Sequence, residues 1–151
     1  STRLNAHLLR TIFYKWAHPT IINHPDEHIV FSEDILVASG WRPGFSTDYC
    51  AVTIAKTFGA KTIVNLSNID YVYDKDPRTN PDAKPFTELS WTEFKKFIPD
   101  KWDPGLHSPF DPVATKLAEE LGMEVLIQNG AKLGELEKYL DGQSFVGTRI
   151  R

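Results

Sequence analysis

The sequence lacks the features that would place it outside ordinary globular proteins. Cys50 is its only cysteine, so no disulfide can form within the chain, and a reducing, cytoplasmic setting is expected. No apolar run approaches the roughly 20 residues that span a bilayer, and no signal peptide is recognised, so no membrane association is expected. The net charge of −3 gives no general attraction to nucleic acid or to acidic lipids.

The sequence does contain the alternating helix and strand patterns of an α/β protein. With 151 residues, of which 41% are apolar, it is long enough to bury a core. The alternation predicts a mainly parallel sheet with right-handed crossovers. In the first half of the chain, the patterns predict a helix at 4–16 and strands at 35–38 and 61–66 with a helix from 48 to 58 between them. A short helix is predicted at 91–97, between two Asx-Pro-rich segments at 74–85 and 99–112. A helix from 112 that buries Val113, Leu117 and Leu121 follows, and then a strand at 124–128, a helix at 133–140 and an edge strand at 147–150.

The loop from Gly40 to Asp48 is the first candidate site. A glycine lets the backbone approach a phosphate, and the free N–H groups at the start of the next helix attract an anion. Ser46 and Thr47 add hydroxyls, and Arg42 adds a charge. The same pattern also fits an ordinary connection in which Thr47 or Asp48 caps the helix. The Gly-Lys-Ser/Thr of a Walker motif is absent.

The second candidate site is the stretch 65–77, Asn-Leu-Ser-Asn-Ile-Asp-Tyr-Val-Tyr-Asp-Lys-Asp-Pro. Ser67 and Asn68 follow a predicted strand, at the sheet edge where α/β proteins bind ligands. Tyr73 could pack on a flat ligand such as a nucleotide base, and Asp76 could accept a hydrogen bond from a sugar hydroxyl. The alternative is a surface turn that a proline stiffens.

No metal site built from side chains is predicted. His24 and His28 are four residues apart, as zinc ligands on a helix can be. Pro25 directly follows His24 and disfavours a helix there. The histidine spacing therefore does not indicate a metal ligand pair.

Together, the two loops resemble a known family. The segments Gly-Trp-Arg-Pro-Gly-Phe-Ser-Thr-Asp (40–48), the stretch 65–77, Pro-Phe-Asp-Pro-Val-Ala-Thr-Lys-Leu-Ala (109–118) and Thr-Arg-Leu-Asn-Ala (2–6) are similar to the uridylate (UMP) kinases of the amino-acid kinase superfamily, archaeal-type branch. The resemblance implies a three-layer αβα sandwich. It also implies transfer of the γ-phosphoryl of ATP to UMP with Mg²⁺, giving UDP in pyrimidine nucleotide biosynthesis, by a homo-oligomer that is often a hexamer.

The resemblance also assigns roles to single residues. Asp48 matches the active-site aspartate, which is expected to organise cationic groups around the transferring phosphoryl rather than act as a base. Ser67 stands where threonine is common and keeps the hydroxyl. The UMP contacts are carried by Trp41, Arg42, Pro43, Gly44, Phe45, Ser46 and Thr47. The ATP contacts are carried by Ser67, Asn68, Tyr73 and Asp76.

The resemblance further implies that residues 1–151 form a single domain equivalent to the carboxyl-terminal two-thirds of a family member. The family's glycine-rich phosphate loop, with its lysine, has no counterpart here, and that cationic clamp carries a large share of the rate. The chain alone is therefore expected to be inactive. Besides ATP and UMP, its expected partners are further copies of itself or the missing amino-terminal segment. A non-catalytic nucleotide-binding or assembly module on the same fold is the alternative. A kinase of another phosphate acceptor is a third reading.

Overall fold

The computed structural model describes residues 2–98 and 108–151. Most of the Asx-Pro-rich segment predicted at 99–112 lies outside these residues. The contacts divide the chain into two compact units, Ser1–Ala60 and Lys61–Arg151. In the described part of the chain, none of the helices combines the length and the apolar character needed to cross a bilayer.

The first unit holds two helices, α1 (Thr2–Ile12) and α2 (Thr47–Phe58). The helix predicted over 4–16 ends earlier, because the chain must become extended for Ala17 to bridge Ile35. The strand predicted at 35–38 is not formed as a strand: Ile35 and Ala38 make only isolated parallel bridges, the latter to Ile22. Single bridges satisfy the backbone locally without building a ladder.

The core of the first unit does not use the large apolar residues predicted on the first helix. One of its clusters consists of Ala6, Ala17, Ile21 and Val37, with Ile35 packed against them. Other buried residues of this unit are Ile22, Cys50, Val52 and Ala55. Ala6 is the only buried residue of α1. The large apolar residues of that helix and of the turn after it are instead exposed: Leu4, Leu8, Ile12, Phe13 and Trp16.

The second unit contains a four-stranded sheet and a separate two-stranded one. The strands are β1 (Thr62–Ser67), β2 (Val72–Tyr73), β3 (Pro85–Phe86), β4 (Glu88–Leu89), β5 (Glu124–Asn129) and β6 (Thr148–Ile150), and the helices are α3 (Trp91–Phe94), α4 (Pro112–Glu120) and α5 (Leu133–Leu140). The larger sheet has the order β1-β5-β6-β4, and β2 pairs with β3. The pairs β1–β5 and β4–β6 are parallel, whereas β5–β6 is antiparallel.

Two predictions about this unit are corrected. β6 is an interior strand, because it pairs with β5 on one side and with β4 on the other. The helix from residue 112 starts as predicted, with Pro112 in its first turn and Asp111 as the N-cap. It does not bury Val113, which is 51% exposed. Its buried face is made by small residues that let a helix pack closely: Ala114, Thr115 and Ala118.

Candidate nucleotide-binding site

Ser46 caps α2, in place of the predicted Thr47 or Asp48. Its Oγ accepts a hydrogen bond from the backbone N–H of Tyr49 at 3.0 Å. Thr47 and Asp48 are therefore the first two residues of the helix. A carboxylate in the first turn lies near the positive end of the helix dipole, which stabilises its charge. Because another residue caps the helix, capping does not explain why an acid stands at position 48.

The aromatic rings of the 40–48 loop pack on one another. The ring centroids of Trp41 and Phe45 are 4.5 Å apart, and the ring of Phe45 lies 5.3 Å from that of Tyr49. The guanidinium of Arg42 lies 4.1 Å from the centroid of Trp41, as in a cation–π contact. His24 meets Trp41 edge to face at 4.6 Å. These contacts give the loop a defined shape and leave less of the Trp41 ring open to a ligand.

A cavity of about 300 Å³ lies beside this loop within the first unit. Its walls are mainly apolar and come from three places: Asn5 and Ala6 of α1, Gly40 and Thr47 of the loop, and Cys50 of α2. Small-molecule sites are typically mostly apolar clefts of roughly 300–1,000 Å³. The volume of this cavity is at the lower end of that range.

Gly40 lies close to the side chain of Thr2. A Cβ at that position would lie 2.9 Å from Oγ1 of Thr2, closer than carbon and oxygen normally approach. The glycine therefore lets the beginning of α1 lie against the loop. Gly44 has a different reason, since its φ of 93° is in the left-handed region that favours glycine.

The second candidate site lies where β1 and β5 end. Ser67 and Asn129 form the last register pair of these parallel strands. The backbone N–H of Gly130 donates to the carbonyl oxygen of Ser67 at 2.8 Å, which extends the pairing by one step. Asn68 is exposed at this edge. The turns after both strands therefore leave the sheet side by side.

The predicted 65–77 stretch is a strand end, a turn and a second strand rather than one loop. Val72 is buried, and its N–H donates to Oγ1 of Thr148 at 2.8 Å. Tyr71 and Tyr73 flank it, half-buried, with ring centroids 6.3 Å apart. Because side chains alternate along an extended segment, both tyrosines lie on the face opposite Val72. The backbone of Tyr73 is in addition paired with Pro85 of β3.

The Asp76 carboxylate holds an arginine that the sequence pattern did not single out. Its two oxygens accept from Nε and Nη2 of Arg78 at 3.1 and 3.0 Å, a bidentate pair. The hydrogen bond to Asp76 raises the pKa of Arg78. A sugar hydroxyl at Asp76 would share the carboxylate with this guanidinium. The only sequence signal is the closeness of the two residues in an Asp-Pro-Arg turn.

A second group missed by sequence reasoning surrounds Asp70. Its Oδ2 accepts from Nζ of Lys132 at 2.7 Å, and its Oδ1 accepts from Nδ2 of Asn129 at 2.9 Å. These hydrogen bonds, that of Lys132 first, lower the pKa of Asp70. The same contact raises the pKa of Lys132. Their separation of 62 residues leaves no local pattern that would reveal the pair.

The two histidines considered as metal ligands pack against aromatic rings. The ring of His28 is stacked 5.8 Å from that of Phe58, and His24 contacts Trp41. Within residues 2–98 and 108–151, no three or more histidine, cysteine, aspartate or glutamate side chains come together as a metal site would require.

Known proteins share the sequence pattern of this chain. Residues 2–129 match the amino acid kinase family. A uridylate kinase of Staphylothermus marinus is 33% identical over 95% of this chain and 65% of its own length. A uridylate kinase of Methanospirillum hungatei is 34% identical over 99% of this chain and 64% of its own length. The chain thus spans somewhat less than two-thirds of the length of these curated relatives.

Solved structures agree with the fold. The uridylate kinase of Archaeoglobus fulgidus superposes with a TM-score of 0.80 at 26% identity, covering 99% of this chain and 68% of that chain. The UMP kinase of Ureaplasma parvum gives a TM-score of 0.71 at 20% identity, which supports the fold alone.

The fold is that of an α/β protein with polar residues at the carboxyl ends of two adjacent parallel strands, the edge at which such proteins commonly bind ligands. The chain belongs to the amino acid kinase family. The predicted α/β class is confirmed, with a mixed rather than a mainly parallel order in the described sheet. The predicted resemblance to uridylate kinases is also confirmed.

Proposed function

We propose that this chain supplies the MgATP-binding portion and part of the UMP site of a uridylate kinase, which transfers the γ-phosphoryl of ATP to UMP and releases UDP. The observation that carries this proposal is the similarity of nearly the whole chain to proteins named uridylate kinase. The reaction would serve pyrimidine nucleotide synthesis in the cytoplasm. The proposal treats residues 1–151 as one domain of that enzyme.

The proposed ATP site uses the end of β1 and the strand that follows. The hydroxyl of Ser67 and the amide of Asn68 offer donors and acceptors at the sheet edge. Tyr73, fixed by β3, offers a ring face for the adenine. Asp76 and the guanidinium of Arg78 form a polar rim for the ribose or the phosphates. Each of these residues lies in the second unit.

The proposed UMP site uses the 41–47 loop, comprising Trp41, Arg42, Pro43, Gly44, Phe45, Ser46 and Thr47. Its phosphate would lie at the start of α2, where backbone N–H groups and the helix dipole favour an anion. The Ser46 hydroxyl keeps its proton for donation, because its oxygen is the atom used in capping. The base would enter the cavity lined by Gly40 and Thr47.

Asp48 would act through electrostatics and not as a proton acceptor. The phosphate of UMP is already a nucleophile, so phosphoryl transfer needs positioning and charge neutralisation. A half-buried carboxylate in the first turn of α2 can hold cationic groups in place. Magnesium enters with the substrate as MgATP, since Mg²⁺ is usually bound by substrate phosphates and only one or two carboxylates.

The deciding experiment measures binding and catalysis with the same preparation. Calorimetry should show saturable binding of MgATP and of UMP to the chain. A chain that binds neither nucleotide, or that binds AMP as tightly as UMP, would contradict the proposed acceptor. A coupled assay then tests for UMP-dependent ADP formation.

A second proposal, self-association, is supported by the surface of α1. Leu4, Leu8 and Ile12 are spaced four residues apart along the helix and are 71%, 60% and 56% exposed. Contiguous exposed apolar residues commonly mark an interaction site. We propose that this face pairs with a second copy of the chain, in keeping with the homo-oligomers that the resemblance implies.

A further inference from the structure

Residues 129–132, which form the end of β5 and the turn after it, make contacts with the segment after β1 beyond those of the strand register. We propose that Asn129 and Lys132 are positioning residues for the nucleoside triphosphate, acting through Asp70 to hold the 67–73 segment. This assignment rests on the proposed ATP site. Neither residue belongs to the set of nucleotide contacts carried over by resemblance.

The backbone brings the 129–132 turn against the end of β1. The N–H of Gly130 donates to the carbonyl oxygen of Ser67. A Cβ on Gly130 would lie 3.2 Å from the Cβ of Leu66 and 3.6 Å from that carbonyl oxygen, so the absence of a side chain permits the close approach. The turn is thus fixed against Ser67, the first residue proposed to contact ATP.

The side chains of the turn then fix the middle of the segment. Asn129 donates from Nδ2 to one oxygen of Asp70, and Lys132 donates from Nζ to the other. Asn129 itself is held, because its Oδ1 accepts from the N–H of Ala131 at 3.0 Å. Two donors on separate oxygens leave the carboxylate little rotational freedom. Asp70 is therefore held at a defined place between Asn68 and Tyr73.

Stability alone does not account for this arrangement. The side chain of Lys132 is 51% exposed and that of Asp70 is 33% exposed, so water screens the ion pair and its net effect on folding is small. The pair does, however, tie the segment after β1 to the turn after β5. Val72 supplies the next fixed point through Thr148. The segment from Ser67 to Tyr73 is thereby held before any nucleotide binds.

The helix that follows the turn offers a matched control. Lys138 forms an ion pair with Glu135 at 2.7 Å and is 48% exposed, close to the values for Lys132. Its carboxylate partner lies on α5 itself and not on the 67–73 segment. Lys138→Met therefore removes an equivalent exposed charge and ion pair without releasing Asp70.

The experiment compares the wild-type chain with Lys132→Met, Lys132→Arg and Lys138→Met in two measurements. Amide hydrogen exchange of residues 68–73 measures how firmly the segment is held, and calorimetric titration with MgATP measures the affinity for the nucleotide. Lys132→Met should speed exchange in the segment and weaken MgATP binding on the order of fivefold, because fewer molecules hold the competent conformation. Lys132→Arg should restore most of the exchange protection and most of the MgATP affinity. Lys138→Met should change neither the exchange protection nor the MgATP affinity. Thermal unfolding should stay near that of the wild type.

The outcomes separate this inference from the proposed function. The positioning role would be overturned if Lys132→Met left hydrogen exchange in the segment unchanged, or if it sped exchange without weakening MgATP binding. It would also be overturned if Lys138→Met had the same effects as Lys132→Met. None of these results would contradict the proposed ATP site. Failure of the wild-type chain to bind MgATP would overturn the ATP site and the positioning role together. Asn129→Asp serves as a second variant, because it places a like charge beside Asp70 and should loosen the same segment.

Discussion

Ser46 and Asp48 are two residues apart at the start of α2, yet their side chains have separable tasks. Ser46 satisfies the N–H of Tyr49, which would otherwise lack a partner within the helix. Asp48 follows it in the first turn, where the helix dipole stabilises a negative charge. A structural role is therefore expected mainly from the serine, and a functional role mainly from the aspartate.

Substituting each residue separately tests this division. Ser46→Ala should lower the free energy of unfolding by about 1 kcal/mol, the usual result of losing an N-cap side chain. Asp48→Asn keeps the shape of the side chain but removes its charge, so it should lower kcat for UMP phosphorylation in the whole enzyme. Urea unfolding and steady-state rates measure the two effects. An Asp48→Asn enzyme with normal kcat would reduce Asp48 to a dipole-stabilised surface acid.

At the residue scale, local patterns found the candidate loops but not the partners of their side chains. The glycines and hydroxyls of the 40–48 loop, and the polar residues after β1, are consecutive in the sequence and so can be read from it. The bonds from Asp70 to Asn129 and Lys132 form only when two distant strands pair. Arg78 lies close to Asp76 in sequence, but its bidentate geometry depends on the fold of the turn.

At the scale of elements, strands and helices with strong local patterns were predicted well. β1, β5, α4 and α5 occur within a residue or two of their predicted positions. The interior position of β6 was not predictable, because strand order is set by long-range pairing. It was predicted as an edge strand, yet Thr148 and Ile150 are fully buried between two neighbours.

Gly147 explains how β6 fits beside β5, and it provides a test. A Cβ there would lie 2.9 Å from Cγ of Gln128 and 2.9 Å from the carbonyl oxygen of Ile127, which cannot move without disturbing the ladder. Gly147→Ala should therefore destabilise the chain by about 1–3 kcal/mol, as overpacking does. Urea unfolding monitored by circular dichroism measures the change.

Gly134 supplies the matched comparison for that substitution. It lies in α5, and a methyl group added there would have no neighbouring atom within 4 Å, so Gly134→Ala meets no obstacle. Alanine reduces the backbone freedom of the unfolded chain and should stabilise by about 0.5 kcal/mol. Equal and small effects at both glycines would show that close packing of β6 on β5 does not constrain position 147.

At the scale of the whole molecule, the first helix is unusual because its large apolar residues are exposed. α1 buries only Ala6, although its sequence contains several large apolar residues. Fully burying a leucine contributes on the order of 2 kcal/mol, so leaving Leu4 and Leu8 in water forfeits a large favourable term. A surface that covers these side chains would recover that term, and a second copy of α1 presents a face of the same chemistry.

Sedimentation velocity over a range of concentrations tests whether a second copy is the partner. The wild-type chain should associate, and Leu8→Glu should shift it towards monomer because a charge at the centre of the apolar stripe would be desolvated without a partner. Val30→Glu is the control, since Val30 is 92% exposed and lies outside α1. A wild-type chain that stays monomeric, or a Leu8→Glu chain that associates equally well, would contradict self-association through α1. Dissociation by Leu8→Glu with unchanged thermal unfolding would show that the stripe serves assembly and not the core of its own chain.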